Sequence, residues 1–374
     1  MANRLVWVNS RGEGTTFSGT GGYDKGNSEM KPLHIAVGVD DAQWCQRFAA
    51  ALDEKRNSGY PLRYDIVDLM RHDWLRTVAP YDAVLWYPGG MGVEGATHVK
   101  EKIYFLEKHL HKLVVPNFHT MWHFESKVAQ SYLFETEGIT TPATSVSFCY
   151  EDALDQLQSA QMPLVFKRSH GAASKNVRLV RSTREAMRWL RRAFCGQLYH
   201  GQRVAGRSRW QTVWWNLGSR WFWEFLSHQG RGVEPAGYVY WQELVPGNNA
   251  DLRITVIGDR YAYGFWRHNR PHDFRASGSG RIDFNLPIPE EPLRYCIELN
   301  RRLDFDSMAY DILFKGSQFV INEISYGYLD SAPYRAAGHY ELNEGEKLVF
   351  VEGHLWPQSL WAEWLLHRAE KIHR

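Results

Sequence analysis

Long apolar runs are missing from this chain of 374 residues, and so is any surplus of charge: Lys and Arg number 44 against 42 Asp and Glu, for a formal net charge of +2. No stretch reaches the ~18 consecutive apolar residues that a bilayer span requires, and a near-neutral balance gives no electrostatic reason to expect nucleic acid as a partner. Cysteine is scarce. The four present, Cys45, Cys149, Cys195 and Cys296, lie far apart and form neither a zinc-type pairing nor a disulfide framework, so a reducing cytoplasm is the expected setting. The opening Met1-Ala-Asn-Arg-Leu-Val-Trp-Val is too short in apolar length for a secretory signal. A dinucleotide fingerprint is also lacking, because Gly89-Gly90-Met91-Gly92 after a strand does not have the G-x-G-x-x-G spacing and reads as a turn.

The composition is otherwise that of a globular enzyme-sized chain, with 44% hydrophobic residues to build cores and length for two or three domains at about 150 residues each. Residues 1–32 read as an N-terminal strand followed by a mobile Gly/Ser/Thr-rich segment. From Leu33, strands at 34–38, 62–67, 83–87 and 113–117 alternate with helices at 42–55 and 98–112. Alternation of this kind predicts a small open α/β domain with a parallel sheet over 33–117. Residues 118–374 then form a second domain of α+β character. A helix beginning at Ser126-Lys127 and closed by Gly138 and Pro142 opens it, and a small lobe covers about 140–245.

The most informative interval is Asp311 to Glu323. Met308–Phe314 and Phe319–Ile324 are rich in β-branched and aromatic residues, and Lys315-Gly316-Ser317 between them has turn chemistry. With the turn centred near Ser317, Asp311 faces Glu323 on one side of the sheet, Cβ atoms about 5 Å apart. Two carboxylates so placed repel unless a cation joins them, and an all-oxygen pair suits Mg²⁺, with Mn²⁺ as a substitute. The alternative is an exposed hairpin in another register.

Other segments are weaker individually. A Gly/Ala/Ser loop, Gly171-Ala172-Ala173-Ser174, follows Lys167 at a strand end and would let backbone amides approach phosphate, though small residues also make ordinary turns. Residues 183–237 form an insert, with Arg184, Arg188, Arg191 and Arg192 on a helix followed by Trp210, Trp214, Trp215, Trp221 and Trp223, and Trp241 just beyond. A lid packing its own small core is the favoured reading, a platform for a sugar or lipid-linked substrate the other. A hairpin turns at Gly258-Asp259, and Arg253, Arg267, Arg275 and Arg281 stand around glycine-rich turns where guanidinium groups clamp anions. The segment Leu355–Leu366 reads as an amphipathic helix with two open destinations, the chain's own core or a second copy in a homo-oligomer.

Taken in order, the Gln242-Glu243-Leu244-Val245-Pro-Gly segment, Asp251-Leu-Arg253, the hairpin to Arg267, Asp273-Phe-Arg275 and the acidic pair resemble the ATP-grasp superfamily. The closest branch in pattern holds the ribosomal protein S6 modifying ligase and glutathione synthase. The resemblance covers roughly 117–335, with 33–116 similar to the preceding pre-ATP-grasp domain. It implies an ATP-grasp fold, ATP as substrate and Mg²⁺ as partner ion. Lys127 and Lys167 would reach the nucleotide phosphates under the loop carrying Gly171, Ala172 and Ser174, and Gln242–Val245 would form the adenine edge, with Glu243 and Leu244 meeting the base. Asp251 and Arg253 would complete the nucleotide site, Arg267 and Arg275 would neutralise the phosphoryl group and the substrate carboxylate, and Asp311 and Glu323 would hold the metal.

The chain departs from the family at Ser325, where an Asn metal ligand is usual, and in the loop, which lacks a second glycine cluster. The implied activity is ligation of a carboxylate on a small molecule, peptide or uronic acid to an amine. A kinase acting on a hydroxyl and a silent ATP-binding module are the alternatives.

Overall fold

The computed structural model describes residues 31–40, 43–89, 93–169, 176–201, 237–271, 273–276 and 278–373. Leu33–Arg374 form one compact unit, separate from Met1–Pro32. Gly171, Ala172 and Ser174, and the part of the Arg/Trp-rich insert from 202 to 236, lie outside the described residues, as does the expected N-terminal strand.

The expected parallel sheet is present. Strands β1 (Leu33–Gly38), β2 (Leu62–Val67), β3 (Ala83–Leu85) and β4 (Leu113–Val115) lie in the order β2-β1-β3-β4, all parallel, with Ile35 opposite Ala83 and Leu85 opposite Val115. Their connections are helices α1 (Trp44–Asn57), α2 (Trp74–Val78) and α3 (Val93–Lys108). A parallel sheet has helical crossovers, so its inner strand is apolar on both faces, and Ile35, Ala36 and Val37 are fully buried. Helix α3 begins five residues before the sequence-based expectation.

After the short helix α4 (Phe118–Met121), helix α5 (Lys127–Thr136) starts where Ser126 caps it, the hydroxyl accepting from the Ala129 amide at 3.2 Å. The small lobe comprises β5 (Thr144–Ser147), α6 (Tyr150–Ser159), β6 (Leu164–Lys167), β7 (Val177–Val180), α7 (Thr183–Gly201) and β8 (Val239–Glu243). Its antiparallel sheet, ordered β5-β8-β6-β7, packs the two helices over a core of its own that includes Phe166, Leu190, Phe194 and Trp241.

The remaining elements build a central antiparallel sheet. They are β9 (Ala250–Ile257), β10 (Tyr261–His268), β11 (Ile282–Asp283), α8 (Glu290–Arg302), β12 (Ser307–Lys315), β13 (Gln318–Ser325), α9 (Ser331–Arg335), β14 (Gly338–Leu342), β15 (Leu348–Glu352) and α10 (Pro357–His373). The order is β13-β12-β9-β10-β14-β15, with β11 also on β10. The β9–β10 hairpin turns at Gly258, as expected, with φ of +61° and Trp364 so close that an added Cβ would lie 2.5 Å from its ring. Helix α8 lies in a segment for which the sequence analysis gives no element, and it starts directly after Pro289. Pro292 falls in the first helical turn, where a missing N–H costs nothing.

One hydrophobic core joins the parallel sheet, the central sheet and α10. Of the two destinations left open for the C-terminal segment, α10 takes the chain's own core. Trp361 is fully buried, edge-on to Trp44, whose ring stacks on Tyr87 at 3.7 Å. Asp306, buried at the start of β12, accepts from Trp364 Nε1 at 2.7 Å, from Arg368 at 2.6 Å and from the Asn117 amide at 2.6 Å, tying the end of the parallel sheet to the central one. Trp361→Ala removes this ring and its bond to the Tyr328 hydroxyl, so a loss of about 3–5 kcal/mol is expected in urea denaturation. A loss below about 1 kcal/mol would show that α10 is peripheral to the core.

Candidate active site

The central sheet presents its functional residues as adjacent cross-strand rows on one face. Phe265, Arg253, Asp311 and Glu323 lie side by side on β10, β9, β12 and β13, with Arg267 opposite Asp251 in the next row on one side. Thr255 and Ala309 head the row on the other side, where Ser325 pairs with Ala309. The opposite face carries Leu252, Ile254, Val256 and Tyr310, and the Tyr310 hydroxyl donates to Asn300 of α8 at 2.8 Å. Alternation along the strands thus separates an apolar, helix-covered side from a charged one.

Asp311 does stand opposite Glu323, but by a route the sequence did not suggest. The turn is a two-residue loop, Gly316-Ser317, closed by Lys315 opposite Gln318, with Gly316 at φ of +66°. Continued regularly, that register would place Asp311 against Asn322. A bulge between Asp311 and Ile312 shifts the pairing by one, which brings Glu323 into the row and frees Asn322 to accept from Lys167 Nζ at 3.2 Å.

Neither carboxylate is bare. Asp311 takes the Arg253 fork at 2.7 and 2.9 Å and Arg267 Nη2 at 2.8 Å. Arg267 is itself held by Asp251, its Nε donating at 2.7 Å and Nη2 at 2.5 Å. Burial opposes ionisation of Asp311, yet the two guanidinium groups outweigh it and hold its pKa below the usual carboxylate range. Burial likewise opposes the Arg267 charge, and Asp311 and Asp251 more than reverse that.

Glu323 pairs with Lys127 at 2.9 Å. Burial disfavours the Lys127 ammonium, but Glu323, with Glu125 and Asp311 behind it, keeps its pKa above the ordinary value. The Gln130 side chain donates to the Ile324 carbonyl at 2.9 Å and accepts its amide at 3.3 Å, so α5 carries Lys127 and grips the strand bearing Glu323. Lys167 differs: its hydrogen-bond partner is the neutral Asn322 amide, and burial, only partly offset by Glu323, pushes its pKa down to about 8.

A cavity of about 510 Å³ opens onto this face, lined by Lys127, Arg253, Arg267, Asp311, Glu323 and Ser325 among others. Asp251 lies behind its wall, where it holds Arg267, and Lys167 is not on the lining either, its ammonium resting on Asn322. Gln242 to Val245 are not on it: Gln242 donates to Thr144 at 3.1 Å and Glu243 pairs with Lys315 at 2.7 Å, which holds the Glu243 pKa down. Arg275 is also elsewhere, on a loop that pairs it with Asp273 and points an Nη1 toward the Val177 carbonyl at 3.5 Å. Sequence reading missed Asn322, Gln130 and the cavity's apolar wall. The signal for Asn322 was available in the turn, since a two-residue loop and an Asp311–Glu323 pair are compatible only through a bulge.

Among the described residues no group of three or more His, Cys, Asp or Glu is arranged to hold a metal ion. The donors present, the Asp311 and Glu323 carboxylates side by side in one row and the Ser325 hydroxyl in the next, are hard oxygens and fit Mg²⁺ by type. A cation there would share Glu323 with Lys127, whereas the lone pairs of Asp311 are already engaged by arginines.

Lys167 has a pH signature. Its folded pKa lies near 8, below the ~10.4 of an exposed lysine. Between those values the unfolded chain binds more protons than the folded one, so this group's contribution makes stability rise with pH across the window. Below pH 8 the buried charge carries its full cost. Lys167→Met is expected to be more stable than the parent at pH 7, by up to ~3 kcal/mol, and the difference should vanish by about pH 10 in paired urea titrations. A less stable variant at pH 7 would contradict the assignment.

No protein-family model and no curated protein matches the sequence. The fold does match solved structures. The RimK domain ATP-grasp protein of Sphaerobacter thermophilus aligns at a TM-score of 0.51 and 14% identity, over 89% of this chain and 100% of that one. The D-alanine–D-alanine ligase of Bacillus anthracis complexed with ATP aligns at 0.51 and 14%, over 91% and 98%. The D-cycloserine synthetase DcsG aligns at 0.52 and 13%, over 90% and 99%. Among the described residues no helix is long and apolar enough to cross a membrane. With the parallel sheet, the small antiparallel lobe and the charged face of the central sheet all accounted for in order, the chain has the ATP-grasp fold.

Proposed function

We propose that this protein is an ATP-dependent ligase that joins a carboxylate to an amine and releases ADP and phosphate. The observation that carries the reading is the convergence of Lys127, Arg253, Arg267, Asp311 and Glu323 on one cavity in a fold shared with ATP-grasp ligases. Three cationic side chains, Lys127, Arg253 and Arg267, line space for a polyphosphate, and Lys167, buried without a carboxylate of its own, is the one an incoming phosphate would stabilise.

In this reading a carboxylate oxygen attacks the γ-phosphorus of ATP, ADP leaves, and an acylphosphate results. The amine nitrogen then attacks the acyl carbon, phosphate leaves, and the nitrogen gives up a proton. Arg253 and Arg267 neutralise charge on the moving phosphoryl oxygens, and Asp251 and Asp311 keep the two guanidinium groups in place beforehand, so no reorganisation is needed at the moment of transfer. Lys127 and Lys167 position the nucleotide phosphates. Asp311 and Glu323, with Ser325, would hold Mg²⁺, which supplies charge neutralisation to the phosphate oxygens. The adenine edge at Gln242–Val245, the covering loop with Gly171, Ala172 and Ser174, and a part for Arg275 belong to the same proposal.

The test is ADP and phosphate release from Mg·ATP with pooled carboxylates, with and without pooled amines, followed by product mass. Release of both that rises with amine, with a product equal to acid plus amine less water, is the expected result. ADP with a phosphorylated product indifferent to amines would make the protein a kinase, and tight ATP binding without turnover would make it a binding module. Glu323→Gln keeps the shape of the side chain and removes its charge. A fall in kcat of roughly 100-fold or more is expected, and an unaltered kcat would remove Glu323 from the site.

A further inference from the structure

The cavity has a second wall that the phosphoryl chemistry does not use. Beside the charged rows it is lined by Phe124, Tyr328, Leu329, Ala332 and Pro333. Leu329 is the unusual member. It is 79% exposed, while its neighbours Tyr328 and Asp330 are 4% and 9% exposed. An isolated surface leucine needs no explanation, but this one projects from a segment anchored on both sides.

The Tyr328 carbonyl accepts from the Tyr87 hydroxyl at 2.8 Å, and the Tyr326 hydroxyl donates to the Pro88 carbonyl at 2.8 Å. Asp330 accepts from Arg47 and, at 2.7 Å, from Gln358. The loop between β13 and α9 is thus fixed to the parallel sheet and to both α1 and α10. Gly327 adds a further constraint, since a Cβ there would lie 2.9 Å from the Phe124 ring, which rests against the bare backbone. The fold therefore holds an apolar side chain in water at the cavity mouth, a few residues from the Ser325 end of the charged face.

Resting on the ligase reading, we propose that the acid substrate is an apolar monocarboxylate, its carboxylate toward Arg253 and Arg267 and its hydrocarbon body against Phe124, Leu329 and Pro333. Charge complementarity sets the orientation. The arginines supply the cations on one side. On the other, the five wall residues carry no charged group to receive a second carboxylate or an ammonium. Glu125, the remaining acid of the cavity, already interacts with Lys127 and Lys100. Burial of the Leu329 side chain by substrate returns part of the hydrophobic free energy that its exposure forgoes.

Three probes share a six-carbon chain and one carboxylate and differ only at the far end: hexanoate, adipate and 6-aminohexanoate. Binding of each to the full chain, with ADP present, can be titrated by ligand-observed NMR. Hexanoate is expected to bind about tenfold or more tightly than either of the others, because a second charge would have to be desolvated against the apolar wall. Leu329→Glu is expected to weaken hexanoate about fivefold or more, and Leu329→Met to retain it, with both variants folded because the side chain is exposed. Equal or tighter binding of adipate or 6-aminohexanoate, no saturable binding of hexanoate, or indifference to Leu329→Glu would overturn the proposal. Selective hexanoate binding without ADP release with any acid and amine would support the apolar subsite and defeat the ligase reading. Turnover restricted to polar acids would keep the ligase and defeat the subsite.

Discussion

The charged rows of the central sheet depend on a buried ion network that cannot be dismantled one residue at a time. Asp251 holds Arg267, Arg267 and Arg253 hold Asp311, and Lys127 holds Glu323. Each charge is tolerated in the interior only because its partners are already in place, and removal of Arg267 takes a cation from Asp251 and Asp311 at once. The hydrophobic side of the same strands, packed on α8, supplies the rigidity that keeps the donors aligned. A site that stabilises developing charge needs dipoles and charges fixed in advance, and a ladder of bidentate pairs across neighbouring strands fixes them.

Lys167 is the exception that gives the network a direction. Every carboxylate on this face has a dedicated cation, so the additional ammonium rests on the Asn322 amide and its pKa falls to about 8. A buried lysine in that condition weakens the free protein and is relieved by an anion. A buried ammonium in that condition is a local conflict of the kind expected at a functional site rather than in a core. The bulge in β12–β13 creates it, because the same one-residue shift that aligns Glu323 also brings Asn322 to Lys167.

Much of the fold was legible in the sequence, for reasons visible at particular residues. The parallel sheet over 33–117 announced itself through apolar runs such as His34-Ile-Ala-Val-Gly, α5 through Ser126 and Gly138, and the β9–β10 hairpin through Gly258. Helix α8 was hidden by two prolines that are harmless only because one precedes the helix and the other falls in its first turn. The hairpin β14–β15 was missed as well, its strands being short and its turn, Asn343–Lys347, long. The strand positions of Arg253, Arg267, Asp311 and Glu323 were legible because alternation governs regular strands. Arg275 sits on a loop, where no alternation sets a side chain's direction, and the structure pairs it with Asp273 off the cavity lining.

The sequence by itself determined which residues share a strand face, because side chains alternate with a period of two and neighbours in a hairpin are set by its turn. Alternation was enough to put Arg253 with Thr255 apart from Ile254 on β9, and Asp311 apart from Tyr310 on β12. Only the tertiary structure decided which strand lies beside which, that a bulge corrects the hairpin's register, and that Tyr87, Arg47 and Gln358, distant in the chain, hold Leu329 at the cavity mouth. Those outcomes rest on contacts between segments far apart in sequence, whose geometry no local pattern encodes. They exist once the two sheets and α10 have closed on a common core.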